Sequence, residues 1–91
     1  MTETTVNQLT KMIFDSHDVL KNVADMNERR SLLRQALIMG NLHRKEVYIE
    51  FRTVGSYLKN IKSIVWGVGE DSIYLKDGIH LPVRSIEKVI L

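Results

Sequence analysis

Three features of this chain combine residue types and spacing that could do chemistry: a glycine pair, a carboxylate–histidine cluster, and cations set among aromatic residues. The glycines stand in "WGVGEDSIYLKDG", Trp66 to Gly78. A dinucleotide-binding loop needs three glycines in G-x-G-x-x-G order, closing a strand and opening a helix, so that backbone N–H groups and the helix dipole meet the phosphates. Here the third position is Ser72, and the residues after it read as strand. Glycines inside a strand let it coil or bulge, so Gly67 and Gly69 are expected to mark a bend.

The cluster is "DSHD", with Asp15, His17 and Asp18. On a helix the two carboxylates would share a face, with the imidazole turned about 100° or more away. That is a poor metal site, and an exposed polar junction is expected instead. His43 and His80 have no partner visible in the sequence. No nucleophile elbow G-x-S-x-G occurs, and no pair of carboxylates sits in an apolar setting that could split their pKa values. The expectation is a protein that is not an enzyme and that uses no cofactor or metal.

Arg52, Lys59, Lys62 and Arg84 are the candidate nucleic-acid-binding residues, interleaved with Tyr48, Tyr57, Tyr74 and Trp66. Cations meet phosphates and rings stack on bases, which is what single-stranded nucleic acid requires. Glu50, Glu70, Asp71, Asp77 and Glu87 dilute that field. Nucleic acid is therefore the alternative to a protein partner. As exposed charges, the four cations are expected to add little to stability.

A second set of residues points to self-association. Met12, Val19, Met26 and Leu33 fall seven apart, as do Val6, Ile13 and Leu20, the spacing of a helix seam. The stretch "YLKNIKSIVWGVG" is apolar on both faces, with Ile61 and Val65 on one and Ile64, Trp66 and Val68 on the other. Something must cover its outside, either the preceding helix or a second chain. Met12, Val19, Ile64 and Trp66 are accordingly the candidate oligomer interface. The expected partner is the chain itself, as a dimer or larger, with another protein as the second choice.

The bulk numbers constrain the class. With 91 residues the chain is a single domain, residues 1–91, with a thin core. It is 44% hydrophobic and 26% charged, the balance of an ordinary globular protein. Cysteine is absent, which fits a reducing compartment such as the cytoplasm. No apolar run approaches the roughly 18 residues of a membrane span, and "MTETTVNQLT" has no signal-peptide pattern. The net charge of +2 falls wholly in residues 41–91, too weak a bias for a polybasic footprint.

The scaffold that carries these side chains changes its apolar period near Gly40. Before it, Val6, Leu9, Ile13, Leu20 and Val23, then Leu32, Leu33, Ala36 and Leu37, recur at helical spacing. "DMNE" reads as a capping box from Asp25 to Glu28 opening a helix over Met26–Met39, with Gly40 closing it. After Gly40 the period is two. "EVYIEFRT", "YLKNIKSIVWGVG", "SIYLK" and "IHLPVR" read as strands, with Asp77-Gly78 as a tight turn and Pro82 at an edge. "SIEKVIL" reads as one helical turn into a short fifth strand carrying Val89 and Leu91. Val47, Ile49, Phe51, Ile73, Leu75, Leu81, Val83 and Val89 should point into one interior.

The order of elements, carried by "VYIEF", "IVWGVGEDSIYL" and "IHLPVRSIEKV", resembles the SH3-like small barrels and, within them, the Sm-like arrangement with an N-terminal helix. It is similar also to short uncharacterised bacterial proteins of this pattern. The resemblance covers roughly Met26 to Leu91; with the helical spacing before it, the expected fold is α+β: a helical segment over residues 1–40, then a five-stranded, strongly bent antiparallel barrel over 41–91. The Sm family's aspartate–asparagine uridine pocket has no counterpart here, so its RNA-binding residues do not carry over. The reading is an interaction or scaffold module that assembles with itself.

Overall fold

A computed structural model of the chain describes residues 13–91. Helix α1 spans Val23–His43, longer at both ends than the sequence pattern implies. At its start the cap is Asn22, not Asp25: Asn22 Oδ1 accepts the Asp25 N–H at 2.8 Å, and Asp25 Oδ2 accepts from Asn22 Nδ2 at 2.9 Å. The cap thus falls three residues earlier than expected, and the bond Asp25 returns goes to the Asn22 side chain, not to a backbone N–H as in a capping box.

Gly40 does not close the helix. It is buried, and a Cβ there would lie 2.5 Å from the Val65 carbonyl oxygen and 3.0 Å from Ile64 Cγ2. Its lack of a side chain lets α1 lie against a strand. The helix ends at Arg44, which takes the left-handed conformation (φ 51°) and donates its N–H to the Gly40 carbonyl at 3.0 Å.

Residues 13–22 form an irregular strap, not a helix. Asp18 Oδ1 accepts the Leu20 N–H at 2.8 Å, a local bond that diverts the backbone from helical pairing. Ile13 O accepts from Val54 N at 2.9 Å and the Val19 N–H donates to Arg84 O at 2.9 Å, so the strap is sewn to the body of the molecule. The heptad seam therefore fails at Ile13, Val19 and Leu20, while Leu33 is fully buried against the protein's own strands. Val6, Leu9 and Met12 lie outside the described residues.

Six strands come after α1: β1 (Val47–Thr53), β2 (Tyr57–Ser63), β3 (Val65–Val68), β4 (Ser72–Leu75), β5 (His80–Pro82) and β6 (Ile86–Ile90). They make two antiparallel three-stranded sheets, ordered β2-β1-β6 and β3-β4-β5. The fold is α+β. The expected second strand is broken at Ile64 into β2 and β3, which gives six strands where five were expected. Asp77 (φ 71°) and Gly78 (φ 76°) supply the positive φ angles of the β4–β5 turn. Pro82 ends β5, an edge strand where its missing N–H costs no ladder bond. The helical turn before β6 is a 3-10 turn at Val83–Ser85, two residues earlier than "SIEKVIL" implies, and Leu91 lies beyond β6, exposed.

All eight residues assigned inward by alternation are buried in one cluster, joined by Leu33 and Ala36 of α1, Ile61, Val65, Ile79 and Ile86. The apolar stripe of α1 thus fills the same core as the strands. Phe14, on the strap, has its ring centroid 6.1 Å from that of Phe51 and packs, half-buried, against the core.

Candidate interaction surfaces

The glycine pair resolves first. β3 pairs with β4 through a register shift between Val65 and Gly67, so Trp66 is bulged out. Gly69 N–H donates to Ser72 O at 2.8 Å, closing the β3–β4 loop. Arg30 on α1 then donates from Nη1 to Gly69 O and from Nη2 to Glu70 O, both at 2.8 Å. The loop offers carbonyl oxygens to a cation, the reverse polarity of a phosphate cradle, and it leads into strand. Gly67 has a further role: a Cβ there would meet Tyr74 Cδ2 at 3.3 Å, so the Tyr74 ring lies over the glycine backbone. A cleft of about 520 Å³ beside this loop is lined by Arg30, Arg34, Leu37, Val68, Gly69 and Glu70.

"DSHD" is a structural junction. Asp18 holds Arg29 with two bonds, Oδ2 to Nη2 at 2.6 Å and Oδ1 to Nη1 at 2.8 Å. Arg29 is only 7% exposed, and its Nη1 also donates to Ile86 O at 3.0 Å, while Nε is buried with no partner among the described residues. Burial alone would push the Asp18 carboxyl up. The Arg29 and Leu20 bonds and the charges of Arg29 and Lys21 outweigh it and hold Asp18 below the ordinary carboxylate value. Asp15 contributes its carbonyl, which accepts from Arg84 Nε at 2.6 Å. The two aspartates serve as latch and anchor.

The four candidate nucleic-acid residues do not share one surface. Arg52 points to the outer face of the β2-β1-β6 sheet, where Nε and Nη2 pair with Glu87 and Nη1 donates to Ser56 O. Lys62, opposite Tyr48, lies on that same face with its Nζ 5.2 Å from the Tyr48 ring centroid. Lys59 pairs with buried Phe51 and so belongs to the other face. Arg84 sits in the 3-10 turn, bound to the strap. Two of the four are thus already engaged in structure. Sequence reasoning passed over Arg44 and Lys45, exposed at the end of α1 and only a few residues before Tyr48. The run "HRK" at 43–45 was the available signal.

Of the candidate interface residues, Met12 lies outside the described residues, and Val19 is half-buried with its N–H committed to Arg84. Ile64 is only 7% exposed because α1 covers it at Gly40, so it cannot face a partner. Trp66 remains, 41% exposed beside Tyr74. The exposed large apolar residues fall in neighbouring groups. Ile13 is bonded through its backbone to Val54, Tyr48 pairs with Ile90 across β1 and β6, and Ile38 and Leu42 are one helical turn apart. Among the described residues no helix is long and apolar enough to cross a membrane. No protein-family model, curated protein or solved structure matches this chain.

Proposed function

We propose that the chain is a non-enzymatic interaction module, an SH3-like or Sm-like small barrel that assembles with copies of itself. The barrel reading is supported by two corners: β2 runs through Ile64 into β3, and a single 3-10 turn links β5 to β6. The two sheets thereby enclose one core. A cytoplasmic location belongs to the same reading and rests on the absence of cysteine.

The observation that carries self-association is the grouping of exposed apolar side chains, Trp66 with Tyr74, Tyr48 with Ile90, and Ile13 with Val54. Single exposed apolar residues need no explanation, but adjoining ones mark contact surfaces. Light scattering at high protein concentration should give a mass of two or more chains; a clean monomer would overturn the proposal.

The second reading, single-stranded nucleic acid, draws on Lys62 over the Tyr48 ring with Arg44 and Lys45 near the same end of the sheet. It requires binding to mixed oligonucleotides that weakens steeply with salt. Micromolar binding at physiological salt would promote it above the scaffold.

A further inference from the structure

β2, β6, β3 and β5 are the sheet edges, and an edge offers unpaired N–H and C=O groups unless something guards it. Three of them are covered or cut short. β6 has α1 beside it, with Arg29 Nη1 donating to Ile86 O. β3 is crossed by α1, with Gly40 set against the Val65 carbonyl. β5 is three residues long and ends in Pro82. β2 is different: seven residues pair with β1 along one side, among the described residues no backbone hydrogen bond runs along the other, and its guard is charge alone, Lys59 and Lys62, which a partner strand must avoid setting against each other.

We propose that β2 pairs antiparallel with β2 of a second copy across a two-fold axis at Asn60, joining two three-stranded sheets into one six-stranded sheet. The inference rests on the reading that the chain self-associates and assigns the contact to this edge, where of the exposed large apolar residues Tyr57 lies. A two-fold axis normal to the sheet keeps both buried faces on one side, so only residues of like face come opposite each other. Centring on Asn60 uses the whole strand: Tyr57 faces Ser63, Leu58 faces Lys62 and Lys59 faces Ile61. No lysine then stands directly opposite a lysine, and only the two Lys59 lie diagonal to each other. Centring on Lys59 or Lys62 would set a lysine against its own copy, and centring on Ile61 shortens the overlap to residues 59–63. β6 offers no equivalent, since its central Lys88 would oppose itself. Charge selects both the edge and the register.

Asn60 lies opposite Glu50, on the outer face, and the chain has no cysteine. Asn60→Cys therefore places two thiols opposite each other across the axis, within the roughly 4.4–6.8 Å Cα separation a disulfide needs. In Lys62→Cys the two thiols would be about four residues apart along the strands, roughly 14 Å, beyond reach. Mild oxidation should give a covalent dimer for Asn60→Cys and none for Lys62→Cys. Independently, Leu58→Glu should tighten the dimer, since the introduced carboxylate meets Lys62 of the other copy at two symmetric places. Leu58→Lys should loosen it, each by about 2- to 30-fold in the dissociation constant by sedimentation. A wild-type dimer in which Asn60→Cys fails to cross-link, or in which the two Leu58 variants shift affinity in the same direction, would overturn this pairing and leave self-association standing. A monomeric wild type would overturn both.

Discussion

Protonating Asp18 would leave Arg29, almost wholly buried in α1, without its counter-charge. The folded pKa of Asp18 is lowered. Its contribution is therefore complete above the unfolded carboxylate value of about 3.9, and is lost as pH falls through the lower folded value. Asp18→Asn should reduce stability at pH 7 by about 1.5–3 kcal/mol, the range for a lost hydrogen bond to a charged group, since Asp18 itself is only part-buried. It should also flatten the fall in stability below about pH 4. Urea unfolding at stepped pH measures both, and an unchanged acid slope in the variant would refute the latch. Of this, only the polar junction at "DSHD" was legible in the sequence. Arg29 looks like any helix-surface cation until the strap folds back to it from eleven residues away.

At the scale of elements, the contact between α1 and β3 depends on Gly40. Replacing it by Ala gains about 1 kcal/mol in helix propensity. The added Cβ, 2.5 Å from the Val65 oxygen, must push helix and strand apart, and overpacking of this kind costs about 1–3 kcal/mol. Sterics against backbone should win, so Gly40→Ala is expected to lower Tm in thermal unfolding. A rise in Tm would mean that α1 stands farther from β3 than this contact requires. Gly78 gives the contrast: nothing lies within 4 Å of a Cβ there, so only its positive φ (76°) disfavours a side chain. Gly78→Asn, which tolerates that region, should therefore unfold close to wild type. Both glycines look like punctuation in the sequence. One is a turn and the other a packing surface, a distinction that only the approach of β3 makes.

Across the whole molecule, the four cations grouped by sequence divide into two pairs. Lys59→Ser with Lys62→Ser should cost no more than about 1 kcal/mol, the loss of the exposed contact between Lys62 and the Tyr48 ring. Arg84→Gln should cost about 1.5–3 kcal/mol, because its guanidinium anchors the strap through Asp15 O and a bond to a charged donor is lost. The quadruple variant with Arg52 and Arg84 is thus not stability-neutral, contrary to the expectation for exposed charges. Denaturation of the separate variants checks this, and equal stability of all of them would show the strap to be loosely held.

Alternation at period two sufficed to place Val47, Ile49, Phe51, Ile73, Leu75, Leu81, Val83 and Val89 inside, and helical spacing sufficed for Leu33 and Ala36, since burial of an apolar face follows from local geometry. Asp77-Gly78 and Pro82 likewise announced a turn and an edge through their own backbone limits. The irregular strap, the break at Ile64, the Asn22 cap and the guarding of β6 by Arg29 were decided by tertiary structure. Each depends on a partner distant in the chain or on competition between neighbouring polar side chains for the same backbone group. Periodicity records which face of an element is apolar; it does not record which carbonyl a distant guanidinium will reach.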